Sequence, residues 1–173
     1  TGDAVDALLL LSTVAQRSVE LHPLEMGDLV DHVLSQLAEL RVRTHASVKL
    51  PKVWPLAIGY APWVGEVWLN LLSNALKYGG SPPGIELGGT SEGSLVRFWV
   101  RDNGQALSEQ ERKRVFIPFT RLHRERAAGH GLGLATVQRI VSKLGGNVGV
   151  SAGTQGGNEF FFALPAAPEA RRK

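Results

Sequence analysis

One stretch of the sequence carries polar side chains at a spacing suited to binding a metal ion and its phosphates. Glu66, Asn70, Asn74 and Lys77 recur every three or four residues, which places them on one stripe of a predicted helix over residues 62–78. Asn is a poor helix former because its side chain competes for backbone hydrogen bonds, so two amides one turn apart suggest a role beyond solubility. Amide oxygens and an ammonium group suit a hydrated metal ion and phosphate. The alternative is a half-buried helix with incidental Asn.

A second candidate is Asp102, at the end of a predicted strand. Apolar residues alternate through residues 96–100, so Asp102 points the same way as three core residues. Arg97 and Arg101 fall on the opposite face of the strand. Because a buried carboxylate is costly without a partner, Asp102 is a candidate acceptor for a donor group of a ligand.

A glycine-rich segment over residues 129–134 precedes the last predicted helix. Closely spaced glycines at a helix start expose backbone N–H groups at the positive end of the helix dipole, which suits an anion. The segment is neither a dinucleotide-binding fingerprint, since no strand runs into it, nor a P-loop, since it lacks Gly-Lys-Ser/Thr. The basic stretch before it, which includes Arg121, could close over phosphates, or it is a solvated surface loop.

The elements that would position these residues follow from hydrophobic periodicity. The predicted helices cover residues 1–19, 26–40, 62–78, 108–114 and 134–144. The predicted strands cover residues 46–50, 54–59, 85–90, 95–102, 148–150 and 160–164. The Ala, Pro and Arg residues after Pro165 predict a disordered tail.

Composition excludes several classes of function. The 173 residues contain no cysteine, so the chain has no disulfide scaffold and no thiolate metal site. The net charge of +3 is dispersed, and we expect no nucleic-acid partner. Residues 7–11 are too short an apolar run to span a bilayer. Because the chain begins at Thr1, we expect a cytoplasmic piece of a longer protein that could itself be membrane-anchored.

The order of motifs resembles the catalytic, ATP-binding domain of two-component sensor histidine kinases, within the gyrase, chaperone, kinase and mismatch-repair ATPase superfamily. The similar motifs, in order, are Asn70-x-x-x-Asn74-x-x-Lys77-Tyr78, Asp102-Asn-Gly104, Phe116-Ile-Pro-Phe119, Gly129-x-Gly131-Leu132-Gly133-Leu134, and Gly156-Gly157 before the last strand. Each motif alone is a modest signal, but five in the family's order form a specific pattern. The resemblance implies a two-layer α/β sandwich, with a mixed sheet of about five strands, three helices on one face and an ATP lid.

The resemblance also implies a role for each candidate residue. Asn74 would hold Mg²⁺, with Asn70 nearby. Lys77 and Arg121 would meet phosphate, and with Asn70 they form the expected catalytic set. At the base end, Asp102 would accept a hydrogen bond from the adenine amino group. The other expected ATP contacts are Tyr78 and Gly104 beside the base, Phe119 as an anchor of the lid over residues 120–128, and the backbone of Gly129, Gly131, Leu132, Gly133 and Leu134 around the phosphates.

Three segments follow from this resemblance. Residues 1–19 would be the end of a dimerisation and phosphoacceptor hairpin, residues 20–165 the ATP-binding domain, and residues 166–173 the tail. None of the five histidines is followed by an acidic residue, as the family's phosphoacceptor is, so the acceptor is expected on the missing part of the hairpin. The implied partners are that dimerisation domain, a second copy of the parent and a response regulator.

Two positions depart from the family pattern. Ala106 replaces a second glycine, which Ala cannot match at positive φ without strain, and Asn158 stands where Ser or Thr is common. Ala106 leaves open a regulatory module that has lost catalysis. A serine kinase acting on an anti-sigma partner is a further alternative. Asn70 stands where ATP-hydrolysing members of the superfamily carry Glu, so we predict negligible ATPase activity.

Overall fold

The computed structural model describes residues 2–16, 18–118 and 133–168. Its helices are α1 (Gly2–Gln16), α2 (Met26–Gln36), α3 (Ala38–Thr44), α4 (Ala61–Tyr78), α5 (Glu109–Arg114) and α6 (Gly133–Lys143). Its strands are β1 (His22–Pro23), β2 (Ser47–Lys49), β3 (Ile58–Gly59), β4 (Gly84–Glu92), β5 (Leu95–Arg101), β6 (Asn147–Ala152) and β7 (Asn158–Pro165).

The main sheet has five strands in the order β2-β4-β5-β7-β6. β2 runs parallel to β4, and the other neighbours are antiparallel. α4 and α6 contact this sheet, and α2 packs on α4. The structure therefore confirms the expected two-layer α/β sandwich with a mixed sheet of five strands and three helices on one face. β1 and β3 form a separate antiparallel pair that the sequence pattern did not indicate.

An aromatic cluster holds α4 on the centre of the sheet. The Trp68 ring is fully buried and meets Phe98 and Phe162 edge-on, with ring centroids 6.2 Å and 5.0 Å away. Such edge-to-face contacts add to the stabilisation from burial. Since these rings take up the apolar side of α4, its polar stripe is turned away from the sheet centre, as its periodicity predicted.

Two predicted elements differ in extent. In the strand predicted over residues 54–59, only Ala57 and β3 form β-pairs. Pro55 lacks an N–H, and Trp54 turns toward the core with its ring centroid 5.6 Å from that of Trp68. The helix predicted over residues 26–40 is broken at Leu37, where φ is −98° and ψ is 10°. Apolar periodicity continues across that break, so the pattern could not show it.

The prediction of a disordered tail over residues 166–173 is wrong for its first two residues. Ala166 and Ala167 are 2% and 1% exposed. The Ala166 N–H donates to the Ser94 carbonyl at 2.9 Å, and Ala166 also bridges to Ala57. Backbone pairing and small side chains thus outweigh a composition typical of disorder. Residues 169–173 lie outside the described residues.

The first helix is only partly covered. Val14 is fully buried and α1 contacts α6, whereas Val5, Leu8 and Leu9 are exposed. Among the described residues, no helix combines the length and apolar character needed to cross a membrane.

Candidate functional site

One end of the candidate site lies where α4 meets the start of α6. The Asn70 Nδ2 donates to the Glu66 backbone carbonyl at 2.8 Å, which fixes the orientation of the amide. The Asn70 Oδ1 then faces Gly133, where a Cβ would lie only 2.8 Å from this oxygen. The structure therefore brings together two predicted site residues that are far apart in the sequence.

The rest of the polar stripe leaves side chains available for a ligand. Asn74 is half-buried, and within the part of the chain that the structure describes its amide makes no hydrogen bond. Lys77 is exposed. Glu66 is half-buried, and burial raises the pKa of its carboxyl.

The other end of the site lies where the end of β5 meets the C-terminus of α4. A Cβ on Gly104 would collide with the Tyr78 carbonyl and come within 3.1 Å of the Gly79 Cα. Glycine is thus required for this close approach. The structure therefore brings the predicted site residues Tyr78, Gly104 and Asp102 together in one cluster.

Asp102 is held on one side by hydrogen-bond donors. Its Oδ1 accepts from the Gly104 N–H at 2.9 Å and lies 3.5 Å from the Asn158 Nδ2. Burial raises the pKa of Asp102, and the donors on Gly104 and Asn158 lower it only in part. Perturbed carboxyl groups of this kind are common at ligand sites.

One glycine of the pair before β7, Gly157, packs directly against the backbone of Asp102. Gly157 has a φ of +71°, and a Cβ there would collide with the Asp102 carbonyl oxygen. The Asp102 N–H donates to the Asn158 carbonyl at 2.9 Å. Arg97 and Arg101 instead pair with Glu159 on the opposite face, as the alternation of β5 predicted.

Sequence reasoning missed the role of Asn103. Its Oδ1 accepts from the Gly80 and Gly84 N–H groups at 2.8 Å and 2.7 Å, and its Nδ2 donates to the Pro82 carbonyl at 3.1 Å. This side chain ties the loop after α4 to the end of β5. The Asn103-Gly104 pair indicated only a turn, because these partners are distant in the sequence.

The role of Asn158 was also missed. The sequence marked this position only as a departure from Ser or Thr, yet the side chain is 6% exposed and contacts the loop after β5. No periodic signal could have found these contacts.

Leu134 is half-buried, and its side chain packs against the core. The other predicted site residues, which are Phe119, Arg121, Gly129, Gly131, Leu132 and the lid over residues 120–128, lie outside the described residues.

The donor set fits a magnesium–nucleotide complex. Among residues 2–16, 18–118 and 133–168 there is no cluster of three His, Asp or Glu side chains for a metal ion. Mg²⁺ usually keeps several waters and uses few protein oxygens together with substrate phosphates. The amides of Asn70 and Asn74 suit that arrangement.

Comparisons with known proteins identify the family of this chain. Residues 59–168 match the family model for histidine kinase-, DNA gyrase B- and HSP90-like ATPases. The methanogenesis regulatory histidine kinase FilI of Methanothrix harundinacea (strain 6Ac) is 36% identical over 142 residues, which cover 80% of this chain and 16% of that protein. The signal transduction histidine-protein kinase/phosphatase MprB of Mycobacterium avium (strain 104) is 34% identical over 175 residues, which cover 96% of this chain and 32% of that protein.

A solved structure shows the same fold. Full-length ShkA in complex with AMPPNP superposes with a TM-score of 0.80 at 27% identity, over 96% of this chain and 36% of that one. The chain thus spans between 16% and 36% of the length of these three proteins. It belongs to the family of histidine kinase-, DNA gyrase B- and HSP90-like ATPases, and within that family it matches the ATP-binding domain of sensor histidine kinases.

Proposed function

We propose that this domain binds Mg·ATP and donates the γ-phosphate to a histidine of a dimerisation domain in the parent protein. The observation that carries the proposal is that α4 joins two clusters, Asn70 with Gly133 and Tyr78 with Gly104 and Asp102. Tyr78 lies eight positions after Asn70 on α4, a rise of about 12 Å along the helix axis. An extended nucleoside triphosphate can reach from one cluster to the other.

Each residue has a physical task in this proposal. Asp102 accepts a hydrogen bond from the adenine amino group, and Gly104 allows the base to lie close to Tyr78. Lys77 meets a phosphate, together with Arg121 and the backbone of the glycine-rich segment. Asn74 and Asn70 would hold Mg²⁺, which neutralises phosphate charge when bound. Phosphoryl transfer depends mainly on such positioning and charge neutralisation.

The wider assignments are part of the same proposal. The relatives are named as histidine kinases, which supports a response regulator as partner, a homodimeric parent and a cytoplasmic position of this domain. The exposed Val5, Leu8 and Leu9 of α1 support its role as the end of a helical hairpin, whose other helix would cover them.

The alternative function, a regulatory module that has lost catalysis, was suggested by Ala106. Among the non-glycine residues that the structure describes, only His45 has a positive φ. The φ of Ala106 is therefore negative. The backbone strain at Ala106, on which this alternative was based, is absent.

Titration calorimetry with Mg·ADP tests the proposal. We expect the wild type to bind and Asp102→Asn to bind at least about tenfold more weakly, because a hydrogen bond to a charged group contributes about 1.5–3 kcal/mol. Asp31→Asn, an exposed change on α2, is the matched control and should bind as the wild type does. A wild type that does not bind ADP or ATP would refute the proposed function.

A further inference from the structure

The Asn158 side chain forms hydrogen bonds to the backbone on both sides of Ala106, the position where the family pattern has a second glycine. Its Oδ1 accepts from the Leu107 N–H at 2.8 Å, and its Nδ2 donates to the Gln105 carbonyl at 3.0 Å. These two groups flank Ala106 on either side. One buried amide therefore holds the loop on both sides of the position where the family pattern has glycine.

A hydroxyl could not make both contacts in the same way. Ser and Thr carry their donor and acceptor on one oxygen close to the backbone, whereas the Asn amide separates them at the end of a longer side chain. The Leu107 N–H lies in a buried setting, and Leu107 itself is 7% exposed. Replacing Asn158 by Thr would therefore leave at least one buried polar group without its partner.

The same amide reaches the base end of the site. Its Nδ2 lies 3.5 Å from the Asp102 Oδ1, and the backbone carbonyl of Asn158 accepts from the Asp102 N–H at 2.9 Å. The loop over residues 105–107 and the Asp102 carboxylate are thus tied to one residue. A shift of the loop would be transmitted to the carboxylate.

We propose that Asn158 is a positioning residue for Asp102, and that Asn158 with Ala106 replaces the family's pairing of a Ser or Thr with a second glycine. The two departures are then a coupled exchange: the amide holds the loop in a conformation that Ala can adopt. This inference rests on the proposed function, because it assigns Asp102 to adenine recognition.

A four-member cycle tests the coupling, with the wild type, Asn158→Thr, Ala106→Gly and the double variant titrated with Mg·ADP. We expect Asn158→Thr to weaken ADP binding about tenfold, because buried partners lose their hydrogen bonds. Ala106→Gly alone should change the affinity for ADP by less than about twofold. In the Asn158→Thr variant, the same change should raise the affinity for ADP at least about threefold, since contacting residues couple. Asn147→Thr, an exposed change at the start of β6, is the matched control.

The ratio of ADP to GDP affinity separates positioning from a general loss of structure. Adenine carries an amino group where guanine carries a carbonyl oxygen, so a displaced Asp102 should lower ADP affinity and leave GDP affinity unchanged. Circular dichroism checks folding. If Asn158→Thr does not fold, Asn158→Asp takes its place in the test. Asp keeps the shape and the acceptor of Asn but lacks the donor, and we expect the same loss of ADP affinity.

An unchanged ADP affinity in a folded Asn158 variant, or an unchanged ADP to GDP ratio, overturns the role of Asn158. If either outcome is found while the wild type binds ADP and Asp102→Asn does not, the role of Asn158 fails but the proposed function stands. If the wild type binds neither nucleotide, the proposed function fails and the role of Asn158 fails with it.

Discussion

Asp102 is a carboxylate whose charged form the folded protein disfavours. Burial raises its pKa although Gly104 and Asn158 donate hydrogen bonds to it. A residue selected for stability alone would avoid this cost, because an Asn has the same shape without the charge. In the proposed function, the position of Asp102 at the end of β5, beside Gly104 and Tyr78, gives the charge a use in ligand recognition.

This cost leads to a prediction on stability. Because the folded pKa of Asp102 is raised above 3.8, the folded state holds the proton more strongly than the unfolded state does. The stability that this group contributes is full below about pH 3.8 and is lost as pH rises through the folded pKa. The free energy of unfolding of Asp102→Asn minus that of the wild type should therefore be larger at about pH 7 than at about pH 3.

Urea unfolding at the two pH values measures this difference. Asp31→Asn serves as the control for removal of an exposed carboxylate. A relative stability of Asp102→Asn that is lower at neutral than at acid pH would contradict the burial of the charge.

At the scale of elements, α4 has two separate tasks. Its apolar side contributes Trp68 and Leu72 to the core, both fully buried, and its polar side carries Asn70 and Asn74. The loop after α4 is tied to the end of β5 by Asn103. The packing of one helix therefore sets the distance between the two ends of the site.

We expect Leu72→Ala to lower the free energy of unfolding by about 2–5 kcal/mol, because it leaves a cavity in the core that α4 helps to form. Val42→Ala, at a side chain that is 75% exposed, should change it by less than about 0.5 kcal/mol. Chemical denaturation followed by circular dichroism measures both. Similar losses for the two variants would be inconsistent with α4 as the central packing element.

At the scale of the whole molecule, the site is assembled from segments that are distant in the sequence. The end of β5, the C-terminus of α4, the start of α6 and the start of β7 meet only in the folded chain. The five-stranded sheet provides the common support. In the proposed function this assembly holds a nucleotide, but it offers no general base at Asn70.

The purified chain should therefore hydrolyse Mg·ATP at a negligible rate, because an amide cannot take a proton from water. Phosphate release at saturating Mg·ATP measures the rate, with Asp102→Asn as the reference for contaminating activity. Turnover that is clearly above this reference would mean that another residue activates water in this site.

Several features were determined by the sequence alone. The periodicity of residues 62–78 predicted α4 and its polar stripe, and the alternation through residues 96–100 placed Asp102 opposite Arg97 and Arg101. The spacing of Ser108 and Glu111 is typical of a capping box, and both hydrogen bonds of that motif are present. These signals are local, since each arises from the repeat of one helix or strand or from residues a turn apart.

Only the tertiary structure decided the contacts of Asn103 and Asn158, the pairing of β1 with β3 and the burial of Ala166. Each depends on partners far away in the sequence, and a hydrogen bond or a buried alanine leaves no periodic trace. Ala106 shows the difference most clearly. From the sequence it indicated a strained or weakened site, whereas in the folded protein the Asn158 amide holds the backbone on both sides of it.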